Sequence, residues 1–154
     1  MTEPPLKPWM WFLLRFAGTY NLLAGFGMLV FYHEGFKMLG LKKPELLLPL
    51  QLVGVMVALF GVGYHIVASN PVENRNVLTL GFLSKAMGSG LGTAYVLLGK
   101  LPPIFLVILF FADMAYLPPF WVIMRRLYRI ANQRGASMAA ARSEISLPMQ
   151  ARHE

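Results

Sequence analysis

The chain has 154 residues, of which 56% are hydrophobic and only 14% charged, with 14 Lys and Arg against 7 Asp and Glu for a net charge of +7. A soluble domain carries about 25% charged residues, so there are too few here to cover a water-facing surface, and soluble enzymes, disordered chains and coiled coils are excluded as leading readings. Without cysteine there is no disulfide framework, thiolate nucleophile or Cys-ligated metal site.

Four apolar runs follow one another, at about 11–32, 46–68, 77–98 and 104–124. Each is close to the roughly 20 residues that a helix needs to cross the hydrocarbon core. The first is expected to stay as a helix and not to be cleaved as a signal peptide. Its leader pairs Glu3 with Lys7, it is too long, and no small-x-small cleavage site follows it. Segment 33–45 mixes Phe36, Met38, Leu39 and Leu41 with Lys37, Lys42 and Lys43, and is expected to lie along the membrane surface. Asn70-Pro71-Val72-Glu73 has the pattern of an N-cap, a Pro at the first helical position and a capping-box Glu, so the third helix is expected to begin there. Gly99 through Pro103 is a tight connection, which makes the third and fourth helices antiparallel neighbours. Pro118-Pro119 lies inside the fourth run and opposes the carbonyls of Met114 and Ala115, so a kink is expected just after Asp113.

The positive charges set the orientation. With four spans, Lys7, Arg15, Arg75 and the six tail arginines (Arg125, Arg126, Arg129, Arg134, Arg142 and Arg152) share a side, against Lys37, Lys42, Lys43 and Lys100 on the other. The positive-inside rule then places both termini in the cytoplasm, with Trp9, Trp11 and Trp121 at that interface. The expected architecture is an all-α, integral membrane four-helix bundle in the cytoplasmic (inner) membrane. It comprises a four-span domain over 1–133 and a basic polar tail over 134–154 that, alone, is expected to be mobile. The basic charge belongs to membrane flanks, and no nucleic-acid partner is implied.

Small residues recur at helical spacing: Gly18 and Gly25 on the first helix, Gly54 and Gly61 on the second, Gly88 and Gly92 on the third. Close approach through small residues drives helix association in lipid, so these are candidate packing positions. The ionisable groups within the runs are Arg15, His65, Lys85 and Asp113. A charge at the bilayer centre costs roughly 2.5–3.5 kcal/mol on insertion scales. Arg15 and His65 lie near enough to an end to reach the interface or to be held by packing. Lys85 and Asp113 are deeper, and at about 1.5 Å per residue their depths differ by roughly 5 Å. They are expected to meet as a buried pair, at the centre of a ligand-binding or buried polar cluster of Arg15, Asn21, Tyr64, His65, Lys85, Asp113 and Tyr116, with Tyr20 and Ser84 completing it.

Phosphate-loop, dinucleotide, zinc-protease and hydrolase signatures are absent. His33, His65 and His153 offer no i, i+4 pair, and no metal site or other cofactor is predicted. Arg15 followed by Gly18, Gln51-Leu52-Val53-Gly54, Gly61-Val62-Gly63-Tyr64, Asn70-Pro71 and Gly81-x-x-x-Lys85 resemble the small bacterial four-span proteins of the DoxX-like kind, over roughly residues 10–125. That resemblance implies a four-helix bundle and a subunit role in a membrane complex, including redox complexes. Three functions follow as expectations. The leading one is a non-catalytic accessory or structural subunit, with membrane lipids and other membrane subunits as partners. The second is a polar intramembrane pocket for a lipophilic ligand such as a quinone, sterol or lipid. The third, a proton-coupled transporter or membrane enzyme, has least behind it, since the two halves of the chain show no repeat.

Overall fold

The computed structural model describes residues 4–150, with side chains described through Ser143, so that Glu3, Arg152 and His153 lie outside the described residues. Six helices follow in order: α1 Pro8–Val30, α2 Tyr32–Met38, α3 Leu48–Ser69, α4 Arg75–Leu97, α5 Ile104–Ala112 and α6 Leu117–Gln150. A 3₁₀ turn at Met114–Tyr116 joins the last two. Pro8 starts α1 in its first turn, where a missing N–H leaves nothing unpaired. The seven-residue α2 covers part of the segment expected at the surface, and none of its residues is buried.

The chain is an all-α membrane protein with several apolar helices. Among the described residues three stretches are long and apolar enough to cross a membrane: α1, α3 and the α5–α6 rod from Ile104 to Ser143. Four were expected. The 23-residue α4 has the length, but Arg75, Thr79, Ser84, Lys85, Ser89 and Thr93 dilute its apolar content. Two of these, Lys85 and Ser89, are buried, so much of what makes α4 polar is turned into the protein.

The helices pack tightly at one end of the bundle, the base. Here Leu14 and Ala17 of α1, Tyr64 and Val67 of α3, Leu78 of α4, and Phe120, Ile123 and Leu127 of α6 form one buried cluster. Tyr128 of α6 ties α4 by hydrogen bonds with Asn76 (2.9 Å) and Thr79 (3.2 Å). Arg126 donates to the carbonyls of Pro4 and Pro5, both at 3.0 Å, and so fastens the start of the chain to α6. Towards the opposite end only Gly25, Gly54, Ser89 and Leu109 are buried on these helices. Lipid is as apolar as a leucine, so what holds the base together is close packing and the polar ties, not escape from water.

The first pair, α1 and α3, depends on glycine. A Cβ at Gly25 would lie 2.5 Å from the Gly54 carbonyl oxygen and 2.6 Å from the Ala58 nitrogen. One at Gly61 would lie 2.7 Å from the Gly18 carbonyl oxygen. The two backbones therefore touch directly. Gly92 packs against Leu109 and Phe105 of α5, whereas a Cβ on Gly88 would meet only Asp113 Oδ2, at 3.8 Å. Gly88 thus touches no neighbouring helix.

Two other glycines end helices. Gly40 and Gly99 have φ of +64° and +67°. At the second, the Gly99 N–H reaches Val96 and the Lys100 N–H reaches Tyr95, the paired bonds of a Schellman cap, and Gly40 and Leu41 repeat the arrangement on Lys37 and Phe36. Gly99 through Pro103 then turns the chain back from α4 into α5, as the tight spacing anticipated.

Two local expectations are corrected. The capping box at Asn70 does not form: its side-chain amide donates to the Glu73 carboxylate instead of accepting a backbone N–H. Residues 70–74 make a single turn, closed by Asn74 donating from backbone and side chain to the Asn70 carbonyl, and α4 starts at Arg75. The kink after Asp113 is present, with Asp113 at φ −132° and ψ −55°. However, Pro118 and Pro119 do not interrupt a helix. They occupy the first turn of a new one, α6, and the Met114 carbonyl accepts the Leu117 N–H. Helix α6 continues through Gln150. Ala131, Ala136, Ala139, Ala140 and Ala141 are strong helix formers and favour this continuation.

Candidate functional site

The break between α5 and α6 creates the site. In a continuous helix the Ala112 carbonyl would accept the Tyr116 N–H. Here Tyr116 bonds instead to Asp113, at 3.1 Å, and Ala112 loses its partner. A carbonyl without a partner inside a bilayer must be satisfied by another protein group or by water. Lys85 of α4 supplies the donor, with Nζ 2.7 Å from the Ala112 oxygen. The same ammonium lies 2.9 Å from Asp113 Oδ1 and 3.5 Å from Asn21 Oδ1 of α1. An ammonium has three N–H groups, and all three are used. The pair that depth alone anticipated is therefore part of a larger device, in which one cation caps a broken helix, neutralises its carboxylate and ties α1 to α4.

The Lys85 side chain is 6% exposed and that of Asp113 26% exposed. The difference is chemical. Oδ1 of Asp113 takes the ammonium, and Oδ2 lies beside Gly88, where the missing side chain leaves it accessible. Tyr116 supports the pair from below, its ring centroid 4.9 Å from Nζ. An aromatic layer continues from it. Tyr116 packs on Tyr20 and on Phe120, and Phe120 meets Tyr64 edge-on at 5.0 Å. Tyr64 itself lies against Gly81, whose Cβ would come within 2.5 Å of the ring.

This aromatic layer separates the packed base from a cavity of about 570 Å³. Residues of α1, α3, α4 and α5 line it. Its polar end is built from Tyr20, Asn21, Tyr64, Ser84, Lys85 and Asp113, and its walls include Met28, Val53, Val57, Leu91, Phe105 and Ile108. Along α4 the lining runs from Lys85 to Tyr95, roughly 15 Å at about 1.5 Å per residue. Small-molecule sites occupy about 300–1,000 Å³, with apolar walls and a few convergent polar groups. Among the described residues, no group hydrogen-bonds the hydroxyls of Tyr20 or Tyr64, which are left for an occupant.

Arg15 and His65 are not part of this site. They meet at the α1–α3 contact, where Arg15 Nη1 lies 3.2 Å from His65 Nδ1 and Nη2 lies 3.0 Å from Ser69 Oγ. Arg15 can only donate, so Nδ1 must accept. The ring proton therefore sits on Nε2, 3.4 Å from Thr19 Oγ1. The imidazole lies over Gly18, whose Cβ would come within 2.8 Å of it. Arg15 also stacks at 5.3 Å over Trp11. The arrangement is a polar clasp between two helices. Of the residues singled out by sequence, Asn21, Tyr64, Lys85 and Asp113 converge on the cavity, Tyr116 lies beneath them, and Arg15 and His65 stand apart.

Comparison with known proteins found no match: no family model, no curated protein and no solved structure matches the chain. The site must be understood from its own chemistry. Among the described residues no three His, Asp or Glu side chains are grouped to hold a metal ion.

Sequence reasoning missed several parts. Thr19 and Ser69 each lie four residues from a partner in the clasp, Arg15 and His65, and that spacing was readable. Gly88 was grouped with packing glycines, yet it borders the cavity. The Ala112 carbonyl carries no side-chain signal, because only the geometry of the break frees it.

Proposed function

We propose that the protein holds a lipophilic molecule within the membrane, with the polar end of that molecule at Lys85 and Asp113. The observation that carries this is the cavity of about 570 Å³ with polar groups gathered at one end and apolar walls elsewhere. The test is the Gly88→Leu substitution. Gly88 borders the cavity and has no helix to clash with, so a leucine there fills space without parting the helices. Native mass spectrometry of the full chain in mild detergent should show a bound small molecule in the wild type and its loss in Gly88→Leu, with helical content unchanged. Equal adducts in both proteins overturn the reading.

In this reading α4 is a fourth crossing, made possible because Lys85 and Ser89 are buried and withdrawn from lipid. The excess of basic residues at the base puts both termini in the cytoplasm and the protein in the inner membrane. The chain has no cysteine, so single cysteines report topology directly. Lys100→Cys should react with an impermeant maleimide added outside intact cells, and Ser137→Cys only after permeabilisation. The reverse pattern refutes the orientation. Kinship with the DoxX-like proteins belongs to the same proposal and rests on the four-span plan and its glycines.

A second reading, an accessory subunit of a larger membrane assembly, draws support from α6. Beyond Ala131 its side chains are exposed through Ser143. Removing the residues after Gln133 should release co-purifying membrane proteins while leaving the bundle folded. A wild-type chain that always purifies alone counts against this role.

A further inference from the structure

The polar end of the cavity has a definite hydrogen-bonding character, and we infer that the occupant is a lipophile ending in an uncharged hydroxyl group, an alcohol or phenol. The inference rests on the cavity reading above and narrows it. Lys85 is the only cation lining the cavity among the described residues. Its three N–H groups are taken by Asp113, Ala112 and Asn21. Lys85 has no N–H left to grip a phosphate or carboxylate, and Asp113 already balances its charge. A cationic head fares no better. The Asp113 carboxylate is committed to the ammonium through Oδ1, and a second cation would be held within reach of Lys85. Anionic and cationic amphiphiles are both disfavoured, and a neutral head is selected.

The free groups specify more. The accessible Asp113 Oδ2 can only accept a hydrogen bond, so it calls for a donor on the ligand. The hydroxyls of Tyr20 and Tyr64 line the same end without partners among the described residues, and they can donate to the ligand oxygen. A hydroxyl satisfies both demands at one atom. A ketone or ether meets only the second and leaves a carboxylate oxygen unanswered.

The polarity of the cavity also runs opposite to that of a membrane leaflet. Its polar end lies near the middle of α4, about ten residues from either end of the helix, and its walls towards Tyr95 and Phe105 are apolar. A phospholipid keeps its charged head at the surface and its chains inside, so it would have to invert to fit. A weakly polar lipid alcohol crosses the bilayer interior without that cost.

Radiolabelled farnesol, farnesyl methyl ether and farnesyl phosphate distinguish the possibilities when bound to the full chain in nanodiscs. The ether differs from the alcohol only by the lost donor, and the phosphate adds charge. Farnesol should bind about tenfold more tightly than the ether, the difference expected for one hydrogen bond to a charged acceptor, and the phosphate should not compete. Tyr64→Phe and Tyr20→Phe keep the rings and should weaken binding of the alcohol. Gly88→Leu should abolish binding of both alcohol and ether. If the ether binds as well as farnesol while Gly88→Leu blocks both, the hydroxyl assignment fails and the cavity reading stands. If the phosphate binds most tightly, the assignment of a neutral head fails. If farnesol does not bind saturably, or Gly88→Leu leaves its binding unchanged, the proposal fails together with the reading on which it rests.

Discussion

Replacing Lys85 with methionine should lower the unfolding free energy by about 3–5 kcal/mol, the usual cost of removing one member of a buried ion pair. The loss has three sources. Asp113 keeps a charge with no counter-ion, Asn21 loses its contact with α4, and the Ala112 carbonyl is left unpaired at the helix break. Equilibrium unfolding of the purified chain in mixed micelles measures it. The informative comparison is the double variant Lys85→Met with Asp113→Leu. Removing both charges takes away the stranded carboxylate, so the double variant should recover much of the stability. It should not recover all of it. The Ala112 carbonyl still lacks a donor, and an unsatisfied buried group costs about 1–3 kcal/mol. A double variant that loses the sum of the two single effects would mean that the residues act independently, which their 2.9 Å contact forbids. A double variant as stable as the wild type would mean that Ala112 finds water, and that the polar end of the cavity is wet.

How far the sequence revealed this site depends on which interactions leave a trace in residue type. The helical runs and their apolar content were plain, because side chains alone decide whether a helix suits lipid. Lys85 and Asp113 stood out for the same reason, each being too deep to reach the interface. The break after Asp113 was legible from Pro118-Pro119, but its consequence was not. Whether prolines kink one helix or start another depends on the backbone three to four residues before them, and here the chain resolved the conflict with a 3₁₀ turn. That choice gave the Met114 carbonyl a partner and freed the Ala112 carbonyl, which no side-chain pattern marks. The capping signal at Asn70 misled because Asn can donate as well as accept, and the nearby Glu73 claimed its amide. Arg15 and His65 were grouped with the deep pair because the sequence gives depth but not azimuth. The two clusters lie on different helix contacts, one between α1 and α3 and the other joining α4 to the α5–α6 break and to α1.

The glycines of α1 and α3 give a graded test of how closely those helices approach. Gly25→Ala should destabilise the bundle by about 3 kcal/mol or more, at the upper end of the usual cost of overpacking. The new methyl group meets backbone atoms of Gly54 and Ala58 at 2.5 and 2.6 Å, and backbone cannot rotate away as a side chain can. The helices must separate, and their other contacts, including the Arg15–His65 clasp, loosen with them. Gly54→Ala should cost less. Its nearest neighbours are the Gly25 oxygen at 3.1 Å, Met28 Cβ at 3.2 Å and a Leu29 methyl at 3.3 Å, so shifts of a few tenths of an ångström suffice. Gly27 supplies the control on the same helix, since nothing lies within 4 Å of a Cβ there. Gly27→Ala should be neutral or gain up to about 1 kcal/mol from the better helix former. All three changes add the same methyl group to a glycine in an apolar helix, so propensity and hydrophobicity cancel across the series and only the gap between α1 and α3 remains. Unfolding in mixed micelles ranks them. Equal effects at Gly25 and Gly27 would place the two helices too far apart for their backbones to touch.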